Sequence, residues 1–283
     1  MTDKFGREID YLRVSVTDRC NLRCRYCMPE HGVDLRGHSE ILRTEEILEI
    51  CAAAVEMGVR KIRITGGEPL VRRGIIELCT EIAKLGVELA ITTNGILLEQ
   101  FAEPLKSAGV QRVNVSLDTL NPERFRTLTR GGELESVLRG IEAAKRAGLA
   151  PVKINCVLMR GVNDDEIDSF MALPDVQVRF IELMPIGESK ARWSEQYYTL
   201  DPAKYTVIAP ISHQFCSSCN RLRLTADGKL KPCLHSDEEY SIRGLHGDAL
   251  KTTIQNAADA KPAAHDGLLT GSSSRREMNQ IGG

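Results

Sequence analysis

Cysteines are the residues of this sequence whose spacing points most clearly to chemistry. Cys20, Cys24 and Cys27 are separated by three and then two residues, so that three thiolates share one short loop. Three soft ligands on one loop can bind one face of an iron–sulfur cubane and leave the fourth iron without a protein ligand. Structural zinc is the alternative, with His31 near enough in sequence to be its fourth ligand.

A second group of cysteines lies near the other end of the chain. Cys216 and Cys219 are separated by two residues, and Cys233 follows after thirteen more. This donor set would again leave one position of a cluster open. A zinc ribbon is the alternative, because His213 and His235 flank the group.

Two arginines directly follow the second group. Arg221 and Arg223 are two positions apart, and in an extended segment such residues project to the same side. Two guanidinium groups that project together suit a triphosphate, because each can form forked, charge-assisted hydrogen bonds. The alternative is a pair of solvated arginines.

The remaining cysteines and the composition indicate an ordinary soluble protein. Cys51, Cys79 and Cys156 stand alone in apolar stretches and are expected to pack as small buried hydrophobes. An odd total of nine cysteines argues against a disulfide framework. The net charge of −2 gives no reason to expect a nucleic-acid or membrane surface. The polar N-terminus lacks the apolar core of a secretory signal, which makes the cytoplasm the expected location.

Short β-rich runs alternate with amphipathic helical patterns between the two cysteine groups. The runs cover 12–16, 61–65, 88–93, 112–117, 152–158 and 178–183. The helical patterns begin at Thr44 and then cover 73–85, 97–107, 134–147 and 164–172. This alternation predicts an α/β fold with parallel strands and right-handed crossovers, as a partial barrel or an open sheet. Either arrangement places chemistry at the C-terminal ends of the strands.

The motifs resemble those of a known family. CxxxCxxC after the first strand is the signature of the radical S-adenosylmethionine (SAM) superfamily, and the sequence 65–69, TGGEP, resembles its GGEP motif. The match extends in order through LRVSVTDRCNLRCRYCMP, IRITGGEPLVRR, TTNG, VNVSLDTL, KINCVLMRGVND, RFIELMP, FCSSCNRLRLTADGKLKPCL and RREMNQIGG. Over nearly its whole length the chain is similar to the GTP 3′,8-cyclases of molybdenum cofactor biosynthesis.

The resemblance implies an architecture and a set of site residues. It implies a partial (βα)6 TIM-like barrel over 1–184 and a smaller C-terminal region over 185–283, with one [4Fe-4S] cluster on each cysteine group. The residues that it places against SAM are Tyr26, Gly67, Glu68, Ser116 and Met184, with the Glu68 carboxylate facing the methionine ammonium. The residues that it places against GTP are Arg13, Arg63, Thr93, Lys153, Arg221 and Arg223. The terminal Gly282 and Gly283 are expected to reach into the active site.

The resemblance also implies a reaction and its partners. A SAM-derived radical would remove the 3′ hydrogen of GTP, and C3′ would then attack C8 to give (8S)-3′,8-cyclo-7,8-dihydroguanosine 5′-triphosphate, without a protein acid or base. The implied partners are a one-electron donor such as flavodoxin or ferredoxin and a downstream cyclic pyranopterin synthase. A homodimer is compatible with the family. No nucleic acid or membrane is expected.

One departure from the family leaves alternatives open. Only about thirty residues separate RFIELMP from Cys216, and the shortening is expected around 195–205, which concerns the GTP site more than the SAM site. The alternatives are another radical SAM enzyme with an auxiliary cluster and a shortened relative that cleaves SAM without cyclising GTP. A non-enzymatic zinc protein is the third.

Overall fold

A single sheet organises the computed structural model, which describes residues 1–34, 36–264 and 272–282. Its first six strands are β1 (Tyr11–Ser15), β2 (Lys61–Thr65), β3 (Glu88–Thr93), β4 (Arg112–Ser116), β5 (Lys153–Leu158) and β6 (Gln177–Glu182). The later strands are β7 (Val207–Ile208), β8 (Arg221–Leu224), β9 (Lys229–Lys231) and β10 (Tyr240–Ser241). The order across the sheet is β10-β9-β8-β1-β2-β3-β4-β5-β6-β7. From β8 to β7 all neighbours are parallel, and only β9 and β10 add antiparallel pairs.

Helices follow the barrel strands in sequence. The first five are α1 (Thr44–Glu56), α2 (Ile75–Ala83), α3 (Leu98–Ser107), α4 (Pro122–Thr129) and α5 (Leu134–Arg146). The last four are α6 (Ile167–Met171), α7 (Trp193–Gln196), α8 (Gly247–Asp259) and α9 (Met278–Ile281). Together with the parallel sheet they form the predicted partial TIM-like barrel.

The core lies between the outer face of the sheet and the helices. Strand residues such as Val14, Ile62 and Ile64 are fully buried, because helix faces cover the outer side of the sheet. Cys51, Cys79 and Cys156 are fully buried within the same core, which confirms the prediction that they act as packing residues. Burial raises the pKa of the thiols of Cys51 and Cys79 to about 12, so these groups stay protonated.

Register brings charged side chains together on the inner face of the barrel. Arg13 in β1 is aligned with Arg63 in β2 and with Arg223 in β8. Residues two apart on a strand share a face, so Tyr11 and Arg221 form the next aligned pair of the same face. The sheet thus stacks cations on neighbouring strands, as the sequence analysis predicted for Arg13 and Arg63.

The C-terminal region contributes strands to the barrel sheet. β7 pairs with β6 and β8 pairs with β1. Strands that follow residue 184 in the sequence therefore extend the sheet at both edges of the first six strands. The domain boundary between 184 and 185 stays a prediction. The predicted strands β1 to β6 match the structure within one residue, and α6 begins three residues later than predicted, at Ile167. The elements α4, α7, α8, α9, β7, β9 and β10 were not predicted, and β8 was expected only as an extended segment.

Candidate active site

A cavity of about 580 Å³ lies inside the barrel, and both cysteine groups line it. The predicted site residues on its wall are Arg13, Cys20, Cys24, Tyr26, Cys27, Arg63, Gly67, Thr93, Ser116, Met184, Cys216, Cys219, Arg221, Arg223 and Cys233. Glu68 and Lys153 are the two predicted residues that do not line it. Residues more than 200 positions apart in the sequence are therefore gathered around one space.

The first cysteine loop is held by its own backbone. The N–H groups of Arg23 and Arg25 donate to the carbonyls of Thr129 and Leu128 at the end of α4, over 3.1 and 3.0 Å. Burial raises the pKa of Cys20 to about 11 and that of Cys27 to about 12. The thiols are thus protonated at neutral pH, and a metal must displace these protons on binding.

The glycines after β2 pack against the loop that leads into the first cysteine group. The N–H of Gly67 donates to the Thr17 carbonyl over 2.7 Å. A Cβ on Gly66 would lie 2.8 Å from the same oxygen, and one on Gly67 would overlap the Arg19 carbonyl. Both positions therefore require glycine because two backbones approach closely there.

Glu68 is buried behind the cavity wall and binds the protein's own backbone and side chains. Its fully buried carboxylate accepts hydrogen bonds from the Leu70 N–H (3.0 Å), the Thr93 hydroxyl (2.7 Å) and the Asn94 N–H (2.7 Å). Burial raises the pKa of Glu68 to about 7, although these hydrogen bonds act in the opposite direction. The carboxylate ties the loop after β2 to the loop after β3. A contact with SAM would have to share or replace these bonds, and that contact stays a prediction.

Tyr26 is oriented by an acidic residue that the sequence analysis missed. Its hydroxyl donates to Asp118 Oδ2 over 2.8 Å, and Asp118 Oδ1 accepts the Val157 N–H over 2.8 Å. Burial raises the pKa of Asp118 to about 6. Asp118 lies two residues after Ser116 at the C-terminal end of β4, where a barrel fold is expected to place functional groups. That position was the signal that could have identified it.

Cations dominate the inner wall of the cavity. Arg13, Arg63, Arg221 and Arg223 are joined there by Lys61 and Arg179, which the sequence analysis missed. Lys61 lies two residues before Arg63 on the same strand face, so strand parity could have revealed it. The carboxylates on the wall, among the residues that the structure describes, are Asp118 and Glu182. Burial, with neighbouring cations, lowers the pKa of Arg179 and of Arg223 to about 10.

Lys153 does not line the main cavity. It lines a second cavity of about 470 Å³ together with Arg179, Met171 and Gln177. Lys153 is the first residue of β5 and is aligned with Gln177, whereas the main cavity begins at Asn155, two residues further along the strand. Arg179 lines both cavities, so Lys153 lies beside the cationic wall without lining the main cavity, and burial with nearby cations that include Arg63 lowers its pKa.

The C-terminal segment enters the barrel between the two cysteine groups. Arg276 holds it through a two-pronged ion pair with Asp227 (3.0 and 3.0 Å) and a second pair with Glu239. Asn279 donates to the Asp18 carbonyl over 2.9 Å, and Arg223 donates to the Gly282 carbonyl over 3.1 Å. The expected inward path is thus observed for Gly282, and Gly283 lies outside the described residues.

The second cysteine group sits beside a buried lysine. Burial alone would raise the pKa of the Cys219 thiol, but the Lys261 ammonium 3.4 Å from its sulfur is among the groups that bring it below the ordinary value. His235 lines the cavity, whereas His213 does not. Within 1–34, 36–264 and 272–282, no three His, Cys, Asp or Glu residues are grouped as ligands of one metal ion. A cluster does not require such grouping, since its thiolates bind different irons.

Comparisons with known proteins agree with this geometry. Residues 14–173 match the family model of the radical SAM superfamily, and residues 194–267 match the model described as Molybdenum Cofactor Synthesis C. The fold resembles that of Streptococcus suis SuiB bound to S-adenosylmethionine, with a TM-score of 0.66 at 15% identity, over 88% of this chain and 68% of that one. A second structure, anSMEcpe with bound AdoMet, gives a TM-score of 0.61 at 17% identity, over 90% and 78%. Fold and motif together define a radical SAM protein.

Curated relatives narrow the class. A GTP 3′,8-cyclase of Heliobacterium modesticaldum is 49% identical over 327 positions, covering 100% of both chains. One of Peptoclostridium acidaminophilum is 47% identical over 320 positions, covering 100% of this chain and 98% of its own. The chain therefore belongs to the GTP 3′,8-cyclase family. The alignment with the Heliobacterium modesticaldum protein is about 44 positions longer than this chain of 283 residues, so this chain is shorter than that relative.

Among the helices of 1–34, 36–264 and 272–282, none has the length and apolar character of a transmembrane span.

Proposed function

We propose that this chain converts GTP to (8S)-3′,8-cyclo-7,8-dihydroguanosine 5′-triphosphate, the first step of molybdenum cofactor biosynthesis. The observation that carries the proposal is its 47–49% identity, over its full length, to proteins named GTP 3′,8-cyclase. The geometry supports it, because two three-cysteine groups and a set of arginines face one cavity. The cofactor that supplies the radical and a polyanionic substrate could thus bind next to each other in this cavity.

The proposed cofactors are SAM and two [4Fe-4S] clusters. Cys20, Cys24 and Cys27 fit the first cluster, since all three lie on one loop and on the cavity wall. When bound there, this cluster supplies the electron that cleaves SAM to methionine and a 5′-deoxyadenosyl radical. Cys216, Cys219 and Cys233 offer the same donor set for the second cluster.

SAM is proposed to bind next to the first cysteine loop. Tyr26, Gly67, Ser116 and Met184 line the cavity on that side, and the Tyr26 ring is fixed by its hydrogen bond to Asp118. Glu68 is proposed to act here mainly by holding the loops after β2 and β3 together. Fixed neighbours matter because a primary radical reacts with whatever hydrogen is closest.

GTP is proposed to bind along the cationic wall. Arg13, Arg63 and Arg223 are aligned on adjacent strands, and Arg221 projects from the same face of β8 as Arg223. Their mutual repulsion in a buried site makes a triphosphate a favourable counterion. Thr93 lies on the same cavity, and Lys153 is proposed to assist from the second cavity beside Arg179.

The reaction balances without a protein acid or base. The 3′ hydrogen of GTP passes to the 5′-deoxyadenosyl radical, and a C3′–C8 bond forms. One further electron and one proton complete the product, which is an isomer of GTP. The task of the chain is to align C3′ and C8 and to exclude water, which the inserted C-terminal segment favours by lining the cavity with Met278 and Asn279.

The test is anaerobic reconstitution followed by incubation with SAM, a reductant and GTP, with products identified by mass spectrometry. The proposal expects 5′-deoxyadenosine together with a nucleotide isomeric with GTP. A variant with Cys24→Ala should form neither, which controls for chemistry outside the cluster. 5′-Deoxyadenosine with GTP left unchanged would contradict the cyclase assignment.

A second candidate is a shortened relative that cleaves SAM but does not cyclise GTP. Two observations favour it: the alignment positions that this chain lacks, and the absence of Lys153 from the residues that line the main cavity. The same experiment distinguishes the two candidates, because only the cyclase consumes GTP.

Partners beyond GTP follow from the family alone. A flavodoxin or ferredoxin is proposed as electron donor, and a cyclic pyranopterin synthase as the enzyme that takes the product. A homodimer is proposed on the same ground.

A further inference from the structure

A buried lysine lies directly behind the second cysteine group. Lys261 follows α8 and is only 2% exposed. Its ammonium lies 3.4 Å from Cys219 Sγ and donates to the carbonyls of Arg221 (2.7 Å) and Pro232 (3.0 Å). An ammonium has three protons to donate, so these three partners account for all of them. Lys261 thus joins the strand β8, one cysteine sulfur and the residue that precedes Cys233.

Arg7 reaches the same group from the N-terminal segment. Its Nη1 donates to the Cys216 carbonyl over 2.7 Å and to the Pro262 carbonyl over 2.9 Å. Its Nε pairs with Asp3 Oδ2 at 2.6 Å, and both side chains are almost fully buried. The guanidinium therefore ties the N-terminus, the second cysteine group and the segment after α8 together.

Between them, the two cations contact two cysteines of the second group and the residue that precedes the third. Arg7 binds the carbonyl of Cys216, and Lys261 binds the sulfur of Cys219 and the carbonyl next to Cys233. We infer that Arg7 and Lys261 are positioning residues of the C-terminal [4Fe-4S] site, and that the Lys261 charge raises the reduction potential of that cluster. The inference rests on the second cluster of the proposed function.

The two residues differ in their electrostatic effect. Arg7 has a carboxylate partner in Asp3, so its charge is largely compensated. Lys261 forms no ion pair with a carboxylate in the described ranges, and its charge faces a sulfur directly. A cation near a cluster stabilises the reduced, more negative state. Both residues thus support assembly, but of the two it is Lys261 that raises the potential, in addition to the nearby Arg221 and Arg223.

The experiment isolates the second site. In a background with Cys20, Cys24 and Cys27 replaced by alanine, about four irons per chain are expected after anaerobic reconstitution. Adding Lys261→Met should lower the iron content at least threefold and shift the potential of the loaded fraction to a more negative value, measured by redox titration with electron paramagnetic resonance. Lys251→Met is the matched control, because Lys251 lies on α8, pairs with Glu56 on the surface and should change neither value.

A second variant separates assembly from charge. Arg7→Lys keeps the positive charge, but it replaces two donor nitrogens, Nε on Asp3 and Nη1 on the two carbonyls, with a single one. One ammonium on a shorter side chain cannot keep all of these contacts, so iron should fall while the potential of the loaded fraction stays unchanged. Thermal unfolding of the metal-free proteins shows whether each variant folds. If Lys261→Met does not fold, Arg7→Lys decides, and unchanged iron in it overturns the inference.

Two further outcomes are decisive. Unchanged iron and potential in Lys261→Met would overturn the inference while leaving the second cluster in place. No iron in the background protein itself would remove the second cluster, and the inference with it. Comparison with a protein that also lacks Cys216, Cys219 and Cys233 distinguishes these two cases.

Discussion

Glu68 shows how a motif residue can act through the fold. Its carboxylate is fully buried and holds two loops through three hydrogen bonds, so its position depends on the backbone around it more than on a ligand. Because burial raises the pKa of Glu68 to about 7 from 4.5, the folded protein holds a proton there that the unfolded chain releases. This residue therefore makes folding more favourable at low pH.

The pH dependence gives a test at this residue. Since the folded protein binds the extra proton between pH 4.5 and 7, the contribution of Glu68 to the free energy of unfolding should fall by about 3 kcal/mol as the pH rises across that window. Glu68→Gln removes the titration, so the difference between wild type and variant should follow that slope. Urea unfolding of the metal-free protein at several pH values measures it, and a constant difference would contradict the prediction.

The inner wall shows what the sequence could not reveal about single residues. Arg13 and Arg63 were predictable from the family resemblance, and each lies in a clear strand. The alignment of Arg13 with Arg223 was not, because it joins strands from opposite ends of the chain. Lys153 was assigned in the same way, and only the structure shows that it lines the second cavity beside Arg179.

At the scale of elements, α4 links a helix cap to the first cysteine loop. The Asn121 side chain accepts the Arg124 N–H over 2.9 Å and caps the helix, whose last residues receive backbone bonds from Arg23 and Arg25. Asn121→Ala should lower the free energy of unfolding by about 1 kcal/mol. Glu133→Ala is the control, because Glu133 precedes α5 without a capping hydrogen bond, and its ion pair with Arg126 of α4 is solvent-exposed and contributes little. Thermal melting compares them, and equal effects would contradict the role of the cap.

Most of the barrel elements were predictable from periodicity, and the others were not for physical reasons. α4 begins at Pro122 with Asn121 as its cap, which is a good helix start, but the helix is short and polar, with only Phe125 and Leu128 as large apolar residues. β7 and β10 have two residues each, too few for any alternation to be recognised. β8 was identified only as an extended segment, because it pairs with β1, a strand about 200 residues earlier in the sequence, and local patterns do not reveal such pairing.

At the scale of the whole molecule, Arg276 controls where the C-terminal segment lies. Its ion pairs with Asp227 and Glu239 hold the residues that then reach Asp18 and Arg223. Arg276→Met should release this segment, so that amide exchange over 272–282 rises at least tenfold and GTP turnover falls at least tenfold. Arg275→Met is the matched control, because Arg275 is its neighbour and 88% exposed. Unchanged exchange in Arg276→Met would refute the anchoring role.

The position of β8 beside β1 has a consequence for the order in which the protein is made. During synthesis, the edge of β1 that β8 covers has no partner until residues 221–224 have left the ribosome. A nascent chain that ends after β6 already contains the first cysteine group and Tyr26, but neither Arg221 nor the second group. The order of translation thus separates the two cysteine groups in time, and the cationic wall is completed only after the first of them has been made.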